Sequence, residues 1–153
     1  MMMSSFRHHK LGALLALFIS SSAQAAAPLV IDVYHDPNCG CCKEWIKHLQ
    51  ANGFTVKDHP EANMTPIKEK LGVPYRLGSC HTGVFKGKFV EGHVPAAQVV
   101  ELGKRKDLVG IAVPGMPLGS PGMEVGTTRH AYKVIGLRSD GKEVVVASIA
   151  ASK

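Results

Sequence analysis

Three of the four cysteines fall within four positions, Cys39-Gly40-Cys41-Cys42, between an apolar run that reads as a strand and a pattern that reads as a helix. Leu29 to His35 is rich in Val, Ile and Tyr and is bounded by Pro28 and by Asp36-Pro37-Asn38, so it predicts a strand ending in a turn. From Gly40 to Asn52 the apolar positions Cys42, Trp45, Ile46 and Leu49 recur at spacings of three and four, one face of a helix that Gly53 stops. Phe54 to Asp58 predicts a second strand and completes a βαβ unit. A thiol cluster at such a junction meets unpaired N–H groups and the positive end of a helix dipole. Thiolates are stabilised there, and thiolate is the form that binds a metal or exchanges disulfides.

The rest of the chain extends the same architecture. Thr65 as N-cap and Pro66 at the first helical position open a second helix that ends at Gly72. Cys80-His81-Thr82 leads into a hairpin, Val84-Phe85 and Phe89 to His93, turned at Lys86-Gly87-Lys88. Pro95 opens a third helix through Leu102. After Leu108 to Val113 the motif Pro-Gly-Met occurs twice, at Pro114-Gly115-Met116 and Pro121-Gly122-Met123, in a loop whose Pro and Gly density excludes helix and ladder alike. Ala131 to Leu137 and Val144 to Ile149, turned at Ser139-Asp140-Gly141, predict a last hairpin. The fold class is therefore α/β: a thioredoxin-like core, β-α-β-α-β-β-α, with a Met/Pro/Gly-rich loop and a C-terminal β-hairpin added.

Residues 1–25 separate from this by composition. Arg7, His8, His9 and Lys10 precede the apolar run Leu11 to Ile19, and small residues ending Ala23-Gln24-Ala25 follow, the layout of a secretory signal peptide cleaved after Ala25. A membrane anchor needs about 20 apolar residues; this run has nine. The expected organisation is a signal peptide over 1–25 and one domain over 26–153, with no stable membrane insertion after cleavage. Cleavage removes Arg7 and Lys10, so 18 basic residues fall to 16 against 12 acidic ones. The remaining bases are scattered, without an aromatic platform among them, which argues against nucleic acid as a partner. Export sends all four cysteines to an oxidising compartment.

Cys39 and Cys42 have C-x-x-C spacing, the thioredoxin-like redox arrangement. Cys41 between them departs from a plain redox pair, because a third thiol offers a soft cation three sulfurs within a few ångströms. Soft ligands favour Cu(I), while Zn(II) stays chemically open. Cys80 is the natural fourth sulfur, since the turn entering the third strand of a thioredoxin-like core faces the start of the first helix. His81 and His93 flank the hairpin, and Met116 and Met123 offer thioethers on a loop able to fold over the cluster. Cys, His and Met together are copper ligands more than zinc ligands, and the two separated Cys or His pairs of a structural zinc site are missing.

Blander readings stand beside these. The cluster can hold a structural disulfide and one buried thiol, although a Cys39–Cys42 bridge closes too short a loop to stabilise much. Cys80, Met116 and Met123 can be core fillers, and His81 and His93 can be surface residues. His35, His48, His59 and His130 are expected at the surface, Trp45 and Phe54 in the core. Asp36, Glu44 and Glu124 are candidates to assist proton transfer, but no paired-carboxylate or Ser/His/Asp arrangement is present, so hydrolysis is disfavoured. Two other functions remain open on the residues alone. One is a thiol–disulfide oxidoreductase with Cys39 as nucleophile and Cys42 as resolving thiol. The other is a structural zinc module, indifferent to loss of Met116 and Met123.

Cys39-Gly40-Cys41-Cys42 with Trp45 and Gly53-Phe54, Gly72-Val73-Pro74, Ser79-Cys80-His81-Thr82, Glu91-Gly92-His93-Val94-Pro95-Ala96 and Ala112-Val113-Pro114-Gly115-Met116-Pro117 with Gly119 to Glu124 resemble the CopG-type copper-resistance proteins, the domain of unknown function family 411. The resemblance runs from Leu29 to Val146. It implies an exported, periplasmic, thioredoxin-like protein that binds copper as Cu(I) or Cu(II) and takes part in copper handling or resistance, with redox interconversion of the ion. Carried over, Cys39, Cys41, Cys42 and Cys80 hold the metal, with His81 or His93 and the Met loop near it. The implied partners are copper ions and periplasmic copper-export or copper-oxidising proteins.

Overall fold

The computed structural model describes residues 27–153; the expected signal peptide lies outside the described residues. The first strand, β1 (Leu29–His35), buries Ile31, Val33 and His35, alternate residues that share one face of the sheet. That alternation corrects the surface expectation for His35: a residue two beyond Val33 points inward with it, and His35 is fully buried. The first helix, α1 (Gly40–Ala51), buries Cys42, Trp45, Ile46 and Leu49, the face its spacing predicts. Asn52 caps it, and Gly53 turns the chain at φ +85° into β2 (Phe54–Pro60).

The second helix, α2 (Thr65–Lys70), is short and buries none of its residues. Its N-cap is Met64 and not the expected Thr65, because Asn63 Oδ1 accepts the Thr65 N–H at 3.2 Å and takes over the capping bond from outside the helix. A 3₁₀ turn, Tyr75–Leu77, follows. The strands β3 (His81–Phe85) and β4 (Lys88–Glu91) form the expected hairpin, turned at Lys86-Gly87 with both residues at positive φ. The third helix, α3 (Ala96–Leu102), starts behind Pro95 and crosses over to β5 (Leu108–Ala112), which pairs parallel to β4. No turn-flanked alternation announces β5 in the sequence; four of its five residues are buried, as befits a strand enclosed on both faces. The last hairpin is β6 (Tyr132–Arg138) and β7 (Glu143–Ile149).

These strands form one mixed sheet in the order β2-β1-β3-β4-β5-β6-β7. The hairpin β6–β7 is thus continuous with the sheet through β5. The larger core cluster joins Trp45, Ile46 and Leu49 of α1 and Val99 and Leu102 of α3 to Ile31, Val33, Phe85, Ile111 and Val134 of the sheet. A smaller cluster gathers Leu77, Phe89, Ala112 and Leu137 with Leu71 and Val73. Trp45 is fully buried, donates its indole N–H to the Val94 carbonyl at 2.8 Å, and so ties α1 to the segment after β4. Among the described residues no helix is long and apolar enough to cross a membrane.

Candidate metal centre

Two short turns bring the sulfur atoms together. The first leaves β1: Asp36 Oδ1 accepts the Asn38 N–H, and the Asp36 carbonyl accepts the Cys39 N–H at 3.0 Å. Buried His35 braces this turn, its Nδ1 donating to the same Asp36 carbonyl at 2.7 Å while Nε2 meets Asp58 Oδ1 on β2 at 2.7 Å. Cys39 is then the N-cap of α1, and its sulfur accepts the Cys42 N–H at 3.3 Å. The second turn enters β3 from Gly78 to Cys80, with the Ser79 hydroxyl donating to the Gly115 carbonyl of the Met loop.

Cys39 and Cys42 are joined as a disulfide, and Cys41 and Cys80 are free thiols. Cys41 Sγ lies 3.5 Å from Cys39 Sγ and 3.9 Å from Cys80 Sγ. All four sulfurs fall within 4.8 Å of one another, and so, in a second group, do ligand atoms of Cys80, His81 and His93. Cys80 belongs to both groups. With the disulfide reduced, the donor set would grade from thiolate to imidazole across a single shared sulfur, soft on one side and borderline on the other.

The imidazoles are prepared for a cation by their other contacts. His93 Nδ1 donates to the Pro121 carbonyl at 2.8 Å, which leaves the Nε2 lone pair facing Cys80 Sγ at 3.2 Å. His81 Nδ1 also lies 3.2 Å from Cys80 Sγ, and its buried Nε2 has no hydrogen-bond partner among the described residues. Its ring packs on Trp45 at 4.3 Å between centroids and edge-on to His93 at 4.8 Å. Burial, reinforced by neighbouring His93, holds His81 well below the ordinary imidazole range, and burial lowers His93 too. Both rings are thus neutral, lone-pair-bearing groups at neutral pH. Burial, with Cys41 adding to it, pushes the Cys80 thiol up to about 12.

The Met loop reaches the site by its backbone. Gly122 lies against the first turn of α1 at φ +86°; a Cβ there would stand 2.8 Å from the Cys41 carbonyl oxygen and the Trp45 nitrogen. Met123, half-buried, follows that contact, whereas Met116 is 53 % exposed beside the Gly115–Ser79 bond. The two thioethers thus differ in exposure.

Four further residues shape the site without having been singled out as site candidates in the sequence. Buried Glu91 pairs with partly exposed Lys68 beneath the Cys80 turn, His35 braces the Cys39 turn, and the Pro121 carbonyl sets the His93 tautomer. Period two along β1 would have found His35, and Glu91 stands out as a carboxylate following Phe89-Val90 in a strand. His48 also departs from its surface expectation: it is half-buried, its Nε2 accepts the Ala96 N–H at 3.0 Å at the start of α3, and burial lowers its pKa. His59 pairs with Asp32 and stacks on Tyr34, partly exposed, and His130 is exposed as expected.

Comparison with known proteins gives a consistent family. The model of a protein family of unknown function, DUF411, matches residues 77–123. Two solved structures described as copper resistance protein CopG, forms 1 and 2, are each 63 % identical to this chain with a TM-score of 0.79. They align over 81 % and 80 % of this chain, respectively, and over 99 % of their own length. No curated protein matches it.

Proposed function

The chain belongs to the CopG-type copper-resistance proteins, and on that premise we propose that it is exported to the periplasm by a signal peptide over residues 1–25 and there binds copper as cargo. The observation that carries this reading is the convergence of four sulfurs from two distant segments within 4.8 Å, with His81 and His93 gathered on the shared Cys80. Cys39, Cys41, Cys42 and Cys80 would take Cu(I), and His81 and His93 would extend the site toward the nitrogen donors that suit Cu(II). Met123 and the more exposed Met116 would add thioether from the loop. The β2-β1-β3-β4 part of the sheet, with α1 and α3 packed in one core, supports a thioredoxin-like reading of the fold.

Redox interconversion of the ion follows from the same cysteines. Closing the Cys39–Cys42 dithiol to its disulfide releases two protons and two electrons, enough to reduce two Cu(II) ions to Cu(I); it withdraws those two thiolates as ligands and leaves Cys41 and Cys80 as the free thiols. Opening the disulfide needs the reverse supply. That disulfide is also the observation favouring the second reading, a thiol–disulfide oxidoreductase with Cys39 as nucleophile and Cys42 as resolving thiol.

Cys41 separates the two. The reduced chain is titrated with Cu(I) against a chromophoric chelator, and the same preparation is assayed for reduction of insulin disulfides. Under the copper reading, Cys41→Ser weakens Cu(I) binding sharply; under the exchange reading, it leaves insulin reduction intact and copper uptake was never specific. Stoichiometric zinc uptake that survives loss of Met116 and Met123, with no preference for copper, would overturn the copper assignment.

Acidity supplies a second check. Because the Cys80 thiol is raised to about 12, it is protonated in the metal-free chain at neutral pH and must release its proton to bind as thiolate. Protons therefore compete with the metal, and Cu(I) affinity should fall about tenfold or more for each unit the pH drops between roughly 8 and 6. Chelator competition at fixed ionic strength measures the slope; a flat profile would mean that Cys80 does not bind as thiolate.

A further inference from the structure

Glu91 is the one fully buried acid among the described residues. Its two oxygens serve the two ends of one short stretch. Oε1 accepts the Ser79 backbone N–H at 2.7 Å, and Oε2 accepts the Thr82 hydroxyl at 2.6 Å. Ser79 and Thr82 bracket Cys80-His81, so a single carboxylate grips both sides of the dipeptide that supplies a thiol and an imidazole to the site. Lys68 of α2 donates to Glu91 Oε1 and, at 2.9 Å, to Thr82 Oγ1, closing the network with a counter-charge.

The backbone around the clamp leaves little slack. Gly92 follows Glu91 at φ +73°, and a Cβ there would meet Ser79 Cβ and the Val113 carbonyl oxygen at 2.6 Å each. The Ser79 turn thus lies directly on the end of β4, one residue before His93. An ion pair with one buried partner, here Glu91, contributes little net stability compared with apolar residues of similar volume. What this one supplies is a fixed geometry. Burial raises the Glu91 carboxyl above its ordinary range, while Lys68 and the accepted hydrogen bonds pull it back.

We propose that Glu91 is the positioning residue of the metal centre, its carboxylate clamping Ser79 and Thr82 so that Cys80 and His81 are held in reach of the Cys39-Cys41-Cys42 cluster, with Lys68 as counter-ion. The purpose of the clamp rests on the copper reading; its geometry does not. Glu91 touches no metal ligand atom and acts only through the turn it holds.

The test uses Glu91→Leu, Glu91→Gln and Thr82→Val in the mature full chain, each checked for folding by circular dichroism. Leucine removes both arms of the clamp. Glutamine keeps a carbonyl oxygen for the Ser79 N–H and an amide for the Thr82 hydroxyl. Thr82→Val removes one arm at nearly constant volume. Outer-shell losses at metal sites cost roughly 10–100-fold in affinity. Glu91→Leu should weaken Cu(I) binding by that order, Glu91→Gln should recover most of it, and Thr82→Val should fall between them.

Amide hydrogen exchange on the metal-free chain gives a readout independent of copper. Exchange at Ser79 should quicken at least about fivefold in Glu91→Leu, the equilibrium effect of one lost hydrogen bond, with β6 and β7 unchanged. If Glu91→Leu does not fold, Thr82→Val carries the comparison through local exchange at Cys80 and His81. Wild-type affinity together with wild-type exchange in a folded Glu91→Leu or Thr82→Val would overturn the proposal. A wild-type chain that takes up no Cu(I) would sink the copper reading, and exchange at Ser79 would still decide this one.

Discussion

Replacing Cys80 by serine should remove high-affinity Cu(I) binding altogether. Cys80 is the only cysteine outside the Cys39–Cys42 segment, and it belongs both to the four-sulfur group and to the group with His81 and His93. Outer-shell changes at metal sites cost about 10–100-fold, and loss of a shared thiolate should exceed that range. The Cys39–Cys42 disulfide does not involve Cys80, so the metal-free variant should still form it, which thiol counting after denaturation will report. Serine is close to cysteine in size, and Cys80 is half-buried at a turn, so thermal unfolding of the metal-free chain should change little. Retained Cu(I) affinity in Cys80→Ser would confine the metal to the Cys39-Cys41-Cys42 segment and dissolve the two-segment site.

The second large effect is expected at Trp45. Trp45→Ala should destabilise the metal-free chain by about 3–5 kcal/mol, read as a fall in the denaturant midpoint. The indole is fully buried in the main core, donates to the Val94 carbonyl and packs on the His81 ring. Removing it opens a cavity beneath α1 and leaves one side of His81 unsupported. Trp45→Phe retains an aromatic face for His81 and loses only the indole hydrogen bond and part of the volume, so its cost should be clearly smaller. Equal losses in both variants would mean that the Val94 hydrogen bond, and not packing, dominates.

Much of the local structure was legible because its signals are periodic. The α1 face at Cys42, Trp45, Ile46 and Leu49, the β3–β4 turn at Lys86-Gly87 and the last hairpin all follow from spacing and from glycines, Gly87 and Gly141, that adopt positive φ. The same rule of two, carried to the end of β1, would have placed His35 inside; a histidine's ordinary preference for the surface concealed it. The strand β5 was hidden for the opposite reason, since a strand enclosed on both faces shows no alternation. The hairpin β6–β7 reads as an appendage in sequence, yet it extends the sheet because β5 offers it an edge.

The candidate site divides along the same line. Its candidate sulfur and nitrogen donors were selected by residue type and spacing, since soft thiolate, imidazole and thioether are properties of side chains and do not depend on where the chain runs. The convergence of Cys80 with the first cluster was expected from the order of the elements, whereas the tautomer imposed on His93 by Pro121 and the Glu91 clamp with Lys68 belong to the tertiary structure alone. Each joins segments distant in the chain across strand registers and loop contacts. Hydrogen bonds of that range leave no periodic trace in the chain, because what sets them is the pairing of strands and not the order of residues.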